Sequence, residues 1–145
     1  MKTPILLFAF CLAGAALVQA PAAPRGCELT FSSRSWWPLY RGFTGDGMVR
    51  CHDGRSLRVH VIAQGHGLSI DHWKIEHANG RYSQLTSMDD VLGHYVRTRD
   101  GARLVKDGRG GAPESARPHL ALDGRGVGFE ADDDIDDLRI ERADP

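Results

Sequence analysis

Apolar and polar residues alternate in short runs along most of the chain, and tight-turn signals separate the runs. Asp53-Gly54-Arg55, Asn79-Gly80-Arg81, Asp107-Gly108-Arg109 and Asp123-Gly124-Arg125 repeat one local pattern. Asx-Gly dipeptides tolerate the positive φ that hairpin turns demand, so the pattern predicts successive short antiparallel strands. Around Asp53-Gly54, a three-residue loop from His52 to Gly54 sets Leu57 opposite Val49 and Val59 opposite Gly47, a better register than a two-residue loop gives. Gly54 then takes the left-handed position of a bulged hairpin, and Cys51 lies beside the turn on the core-facing phase. Around Asp123-Gly124, a two-residue loop pairs Leu122 with Arg125 and Leu120 with Val127, placing Leu120, Leu122, Val127 and Phe129 on one face. Leu68 and Ile70 alternate out of phase with Trp73 and Ile75, which calls for a bulge or turn near Asp71-His72.

One stretch prefers helix. Ser87 with Asp90 makes a capping-box-like start, and Met88, Val91, Leu92 and Tyr95 follow at the spacing of an apolar helical stripe. Gly93 weakens it, so the helix near Met88 to Tyr95 should be short. Asp107 to Arg117 is rich in Gly and Pro and reads as a mobile loop, and residues 143–145 read as a flexible C-terminal end. The fold class predicted is mainly β: a small antiparallel β-barrel or sandwich of about six to nine strands with one short α-helix.

The first twenty residues change the picture. Lys2, a charge-free run from Ile5 to Val18 and the exit Val18-Gln19-Ala20 form the pattern of a secretory signal peptide, cleaved after Ala20. The apolar run is about 14 residues, short of the roughly 18 to 20 that span a bilayer, so no transmembrane anchor is expected. Neither Cys11 nor Cys27 has the small-residue approach of a lipidated cysteine. Residues 21–142 are then a single β-rich domain, periplasmic or secreted. With 18 basic residues against 19 acidic ones, bulk charge gives no reason to expect a nucleic-acid partner.

Of three cysteines, Cys11 departs with the leader. Cys27 and Cys51 remain as an even pair in an oxidising compartment, and a disulfide is the leading reading. A metal pair or a catalytic thiol is the alternative, though no C-x-x-C arrangement is present.

Seven histidines are scattered without the spacing of a metal site. No metal and no cofactor is read from them. Asp90 and His94, one helical turn apart, suit a surface charge pair. Glu130 to Asp137 holds six carboxylates in eight residues; it lacks the glycine and the final glutamate of an EF-hand loop. A solvated acidic turn before the strand Leu138 to Ile140 is expected, with weak calcium binding by Asp132 to Asp137 as a secondary idea. Trp36-Trp37-Pro38-Leu39-Tyr40 brings three aromatics together beside Arg34 and Arg41. Trp36, Trp37 and Tyr40 either cap one end of the core or project as a rim suited to a bilayer interface, an amphiphile or a glycan.

The order of glycine signals carries a resemblance. Gly45-Asp46-Gly47, Gly65-His66-Gly67-Leu68, Gly93-His94-Tyr95 and Gly124-Arg125-Gly126-Val127-Gly128-Phe129 follow one another from Gly45 to Ile140. This succession resembles small glycine-rich exported bacterial proteins similar to the SYLF lipid-binding domain family. The resemblance implies a compact β-rich fold and, in some members, phospholipid binding. The chain departs from that family in its cysteine pair and acidic run, and no binding residue is carried across.

The function expected is that of a non-catalytic envelope protein binding an amphiphile, lipid or envelope partner. One alternative is a secreted hydrolase, which would need three of His60, His72, His77, His94 and Asp90 to converge. The other is a structural or inhibitory secreted protein using the loop Asp107 to Arg117.

Overall fold

A computed structural model describes residues 14, 22–36, 39–69, 74–108, 110–126 and 129–144. The strands are β1 (Glu28–Trp36), β2 (Leu39–Arg50), β3 (Ser56–Ser69), β4 (Ala78–Ser83), β5 (Gly93–Arg97), β6 (Leu104–Lys106), β7 (His119–Asp123), β8 (Arg125–Gly126), β9 (Phe129–Glu130) and β10 (Asp137–Arg142). Eight of them close an antiparallel barrel in the order β1-β2-β3-β10-β5-β6-β7-β4, and β8 pairs with β9 as a separate ribbon. The fold is thus mainly β, and of the two architectures expected it is the barrel. In β1 to β4 the fourth strand returns beside the first, a Greek key, and β5, β6, β7 and β10 repeat the same order.

An eight-stranded barrel has an interior just wide enough for side chains to fill. Leu29 and Phe31 of β1, Phe43 and Val49 of β2, Val59 and Val61 of β3, and Leu138 and Ile140 of β10 are buried there at alternate positions. Phe31 and Phe43 stack with ring centroids 6.1 Å apart. Tyr82 and Tyr95 meet edge to face at the same separation. Their hydroxyls are satisfied by backbone: Tyr95 donates to the Asp90 carbonyl at 2.6 Å and Tyr82 to that of Val91 at 3.3 Å. Burial pushes both phenols above their ordinary pKa, so they remain donors.

The β2–β3 hairpin has the register expected, Val49 opposite Leu57 and Gly47 opposite Val59. The Cys51 N–H donates to the Arg55 carbonyl at 2.9 Å, closing a loop in which Gly54 has φ 89°. Cys27 and Cys51 are joined as a disulfide.

Three of the four Asx-Gly pairs are not tight hairpin turns, Asp107-Gly108 opening the long loop between β6 and β7. Asn79-Gly80 lies inside β4. A Cβ on Gly80 would fall 2.7 Å from Leu120 Cδ1, so this glycine admits a core side chain rather than a reversal. At Asp123-Gly124, β7 runs between β4 and β6, and Arg125 pairs with Glu130 instead of Leu122. Leu120 is nevertheless buried and Leu122 packs against the core, as their alternation indicated. The expected turn near Asp71-His72 lies outside the described residues.

The helix expected over Met88 to Tyr95 is a single 3-10 turn, Met88–Val91. Gly93, at φ 121°, turns the chain into β5. Met88, Val91, Leu92 and Tyr95 all reach the core, but from a turn followed by a strand. Among the described residues the only α-helical turn is Ala131–Asp134, inside the acidic run. At the C-terminus, Ala143 is still held, donating to the Arg58 carbonyl at 3.0 Å.

Asp90 ties the 3-10 turn together. Its carboxylate accepts from the Thr86 N–H at 2.8 Å, the Thr86 hydroxyl at 2.7 Å and the Ser87 N–H at 3.0 Å. Burial opposes the charge, yet these bonds and the Lys106 ammonium hold the carboxyl below the usual range. A depressed folded-state pKa contributes stability above the unfolded value, which is lost as pH falls through the folded one. Between about pH 5 and about pH 2 the wild type should therefore lose more stability than Asp90→Asn, as read from urea midpoints. Equal losses would mean that the carboxylate stabilises nothing.

Candidate functional site

The sheet does not stop where the barrel does. β1 pairs with β4 only from Glu28 to Phe31, and Ser33 is then held through its backbone and hydroxyl by Ile75. β3 pairs with β10 only from Val59 to Gln64. Past the last β3–β10 pair, Gln64↔Asp137, β2 and β3 continue as a two-stranded flap through Tyr40↔Leu68 and Leu39↔Ser69, while β1 ends at Trp36, opposite the buried Phe43. Register shifts at Ser33/Ser35 in β1 and Tyr40/Gly42 in β2 bend these strands. The backbone of Tyr40 lies in this flap and that of Trp36 at its base; Trp37, and the side chains of Trp36 and Tyr40, lie outside the described residues.

At the base of the flap, the outer face of the same sheet carries a groove of about 530 Å³. Its floor is Thr30 and Ser32 of β1, Asp46 and Met48 of β2, and Arg58 and His60 of β3. Glu76 with His77 and Ala143 with Asp144 line it from the segments flanking β4 and β10. His60 Nδ1 lies 2.6 Å from Asp46 Oδ1. An ionised carboxylate only accepts, so the ring proton sits on Nδ1 and the neutral imidazole keeps Nε2 as an acceptor. Asp46 Oδ2 is also 3.7 Å from Arg34.

The remaining histidines are dispersed. His94 Nε2 lies 2.6 Å from Asp137, with Asp107 on its other side at 3.7 Å, in a second pocket beside Lys106 and Arg139. It makes no pair with Asp90. His66 contacts Asp136, and the buried His119 meets the Arg117 carbonyl at 2.7 Å. His60 and His77 share the groove while His94 does not, so three of His60, His77, His94 and Asp90 do not converge; His72 lies outside the described residues. In the acidic run, Asp136 and Asp137 are engaged by Arg97, His66 and His94. Among the described residues no group of three or more potential ligands is placed to hold a metal ion.

The loop Asp107 to Arg117, expected to be mobile, is pinned at both ends. Asp107 N–H donates to the His94 carbonyl at 2.8 Å, and Arg117 Nη1 donates to that of Lys106 at 2.8 Å. Glu114–Ala116 adds a 3-10 turn.

Against protein-family models, curated proteins and solved structures, the chain finds no match. Among the described residues no helix is long and apolar enough to cross a membrane.

Sequence reasoning left the His60–Asp46 pair unnoticed, yet the signal was present. Continuing the Val49–Leu57 register three residues away from the turn sets Asp46 opposite His60.

Proposed function

We propose that this protein is exported to the cell envelope and binds an amphiphile there through the aromatic end of its flap. The observation that carries the reading is that β1 runs past its last β4 pair to Trp36 and β3 past its last β10 pair beside Tyr40 of β2. Aromatic side chains with polar edges suit the boundary between water and an apolar phase. The filled barrel interior leaves the outer surface for binding. The disulfide fits an oxidising compartment, the pattern of residues 1–20 supplies the export signal, and the resemblance to the SYLF lipid-binding domain points the same way.

Replacing Trp36 and Trp37 together by alanine should weaken co-sedimentation with zwitterionic phospholipid vesicles by at least about tenfold, given the apolar area of two indoles. With basic and acidic residues nearly balanced, raising the salt should change wild-type binding little. The urea midpoint of the double variant should stay near wild type. A wild type that never sediments with vesicles, or a variant destabilised by several kcal/mol as core tryptophans would require, would reject this reading.

A further inference from the structure

The methionines of the chain are Met1, Met48 and Met88, and Met88 touches the disulfide. Its Sδ lies 3.5 Å from Cys51 Sγ. With Cys51 bonded to Cys27 there is no S–H to donate, so the two sulfurs rest on each other at van der Waals distance. Met88 opens the 3-10 turn Met88–Val91, and with Leu57, Leu85 and Leu92 it packs half-buried against the core. The turn is pinned in place. Tyr95 and Tyr82 donate to the carbonyls of Asp90 and Val91, and Arg142 Nη2 donates to Asp89 Oδ1 at 3.1 Å.

A thiolate reduces a disulfide by bonding to one of its sulfurs, giving a mixed disulfide and expelling the other cysteine as thiolate, and access limits the rate. Cys27 is 2% exposed and Cys51 is 7% exposed. Solvent therefore approaches the bridge from the Cys51 side, where Met88 lies against the sulfur. The thioether is itself oxidisable, since the residue is half-buried rather than enclosed. Hydrogen peroxide transfers one oxygen to it: an S–O bond forms, the O–O bond breaks, and the second oxygen leaves as water. The product carries a polar S=O where an apolar group had packed. A polar group without a partner is costly there, so the oxidised side chain turns out toward water.

We propose that Met88 is an oxidation site controlling thiol access to the Cys27–Cys51 bridge: the thioether covers Cys51 Sγ, and the sulfoxide uncovers it.

The test exposes the folded, oxidised full-length chain to dithiothreitol and reads alkylation of Cys27 and Cys51 by peptide mass spectrometry, so that the Cys11 thiol stays out of the measurement. After treatment with hydrogen peroxide and its removal, reduction should be at least about tenfold faster, as expected when a packed apolar group becomes an unpartnered polar one. Met88→Leu conserves volume and has no sulfur to oxidise; its bridge should be reduced slowly both before and after peroxide. Met48→Leu should keep the full acceleration. Met88→Gln, which puts an amide where the S=O would lie, should be reduced fast without peroxide, and it carries the test if Met88→Leu fails to fold. An unchanged rate in a wild type whose Met88 has gained oxygen, a Met88→Leu variant that still accelerates, or a Met88 that stays unoxidised in the folded chain would each overturn the proposal.

Discussion

Replacing Cys27 and Cys51 together with serine is expected to lower the unfolding free energy by about 3 kcal/mol, the chain-entropy value for a bridged loop of about 25 residues. The bond joins the residue before β1 to the residue after β2, and both cysteines are buried. It also lies where the N-terminal segment is strapped down. Arg55 Nη2 donates to the Ala22 carbonyl at 2.9 Å, and the His52 N–H donates to that of Arg25 at 3.0 Å. Urea unfolding of the oxidised wild type and the double variant measures the difference, and reductant added to the wild type should reproduce it. A loss below about 1 kcal/mol would show that the unfolded chain is already constrained without the bond.

Gly45→Ala should be comparably damaging for a different reason. Gly45 sits opposite Ser33, next to the register shift in β1. A Cβ there would lie 2.0 Å from the Ser32 carbonyl oxygen and 2.9 Å from its carbon. Those are backbone atoms, so β1 and β2 must part to make room, at the base of the flap. A loss of about 3 kcal/mol, the upper end of ordinary overpacking, is expected. Gly110→Ala is the control: nothing lies within 4 Å of the added carbon, and a change within about 0.5 kcal/mol is expected. Equal stability of the two variants would refute the close β1–β2 approach.

What could be read from the sequence was local. The Val49–Leu57 register followed from a turn of three residues and two flanking alternations, all within one hairpin. Leu120 and Leu122 were assigned to the core face by period alone, and period does not need to know the neighbouring strand. Asn79-Gly80 and Asp53-Gly54 look alike in sequence because glycine serves both positive φ and tight packing. Only the arrival of Leu120 from β7 distinguishes them. Met88 to Tyr95 misled for a related reason: burial at helical spacing is also met by a 3-10 turn running into a strand, and Gly93 was the residue marking the change. The aromatic segment was visible at once in the sequence. That β1 outruns β4 and β3 outruns β10 on either side of it was not, because that depends on where β4 and β10 stop pairing, and both are distant in the chain.

The closing strand β10 has a consequence for the order of events. It pairs with β3 on one side and β5 on the other, and it follows every other barrel strand in the chain. A chain made or threaded from its N-terminus therefore presents β3 and β5 with unpaired edges until residues 137–142 arrive. Open edges invite pairing between molecules, and closure across such sequence separations is slow. Truncation before Asp137 would accordingly yield an open, self-associating sheet rather than a slightly shorter barrel. In a chain that crosses a membrane, the same late seam delays completion of the fold until transit is nearly over, when the emerging segment no longer has to remain extended.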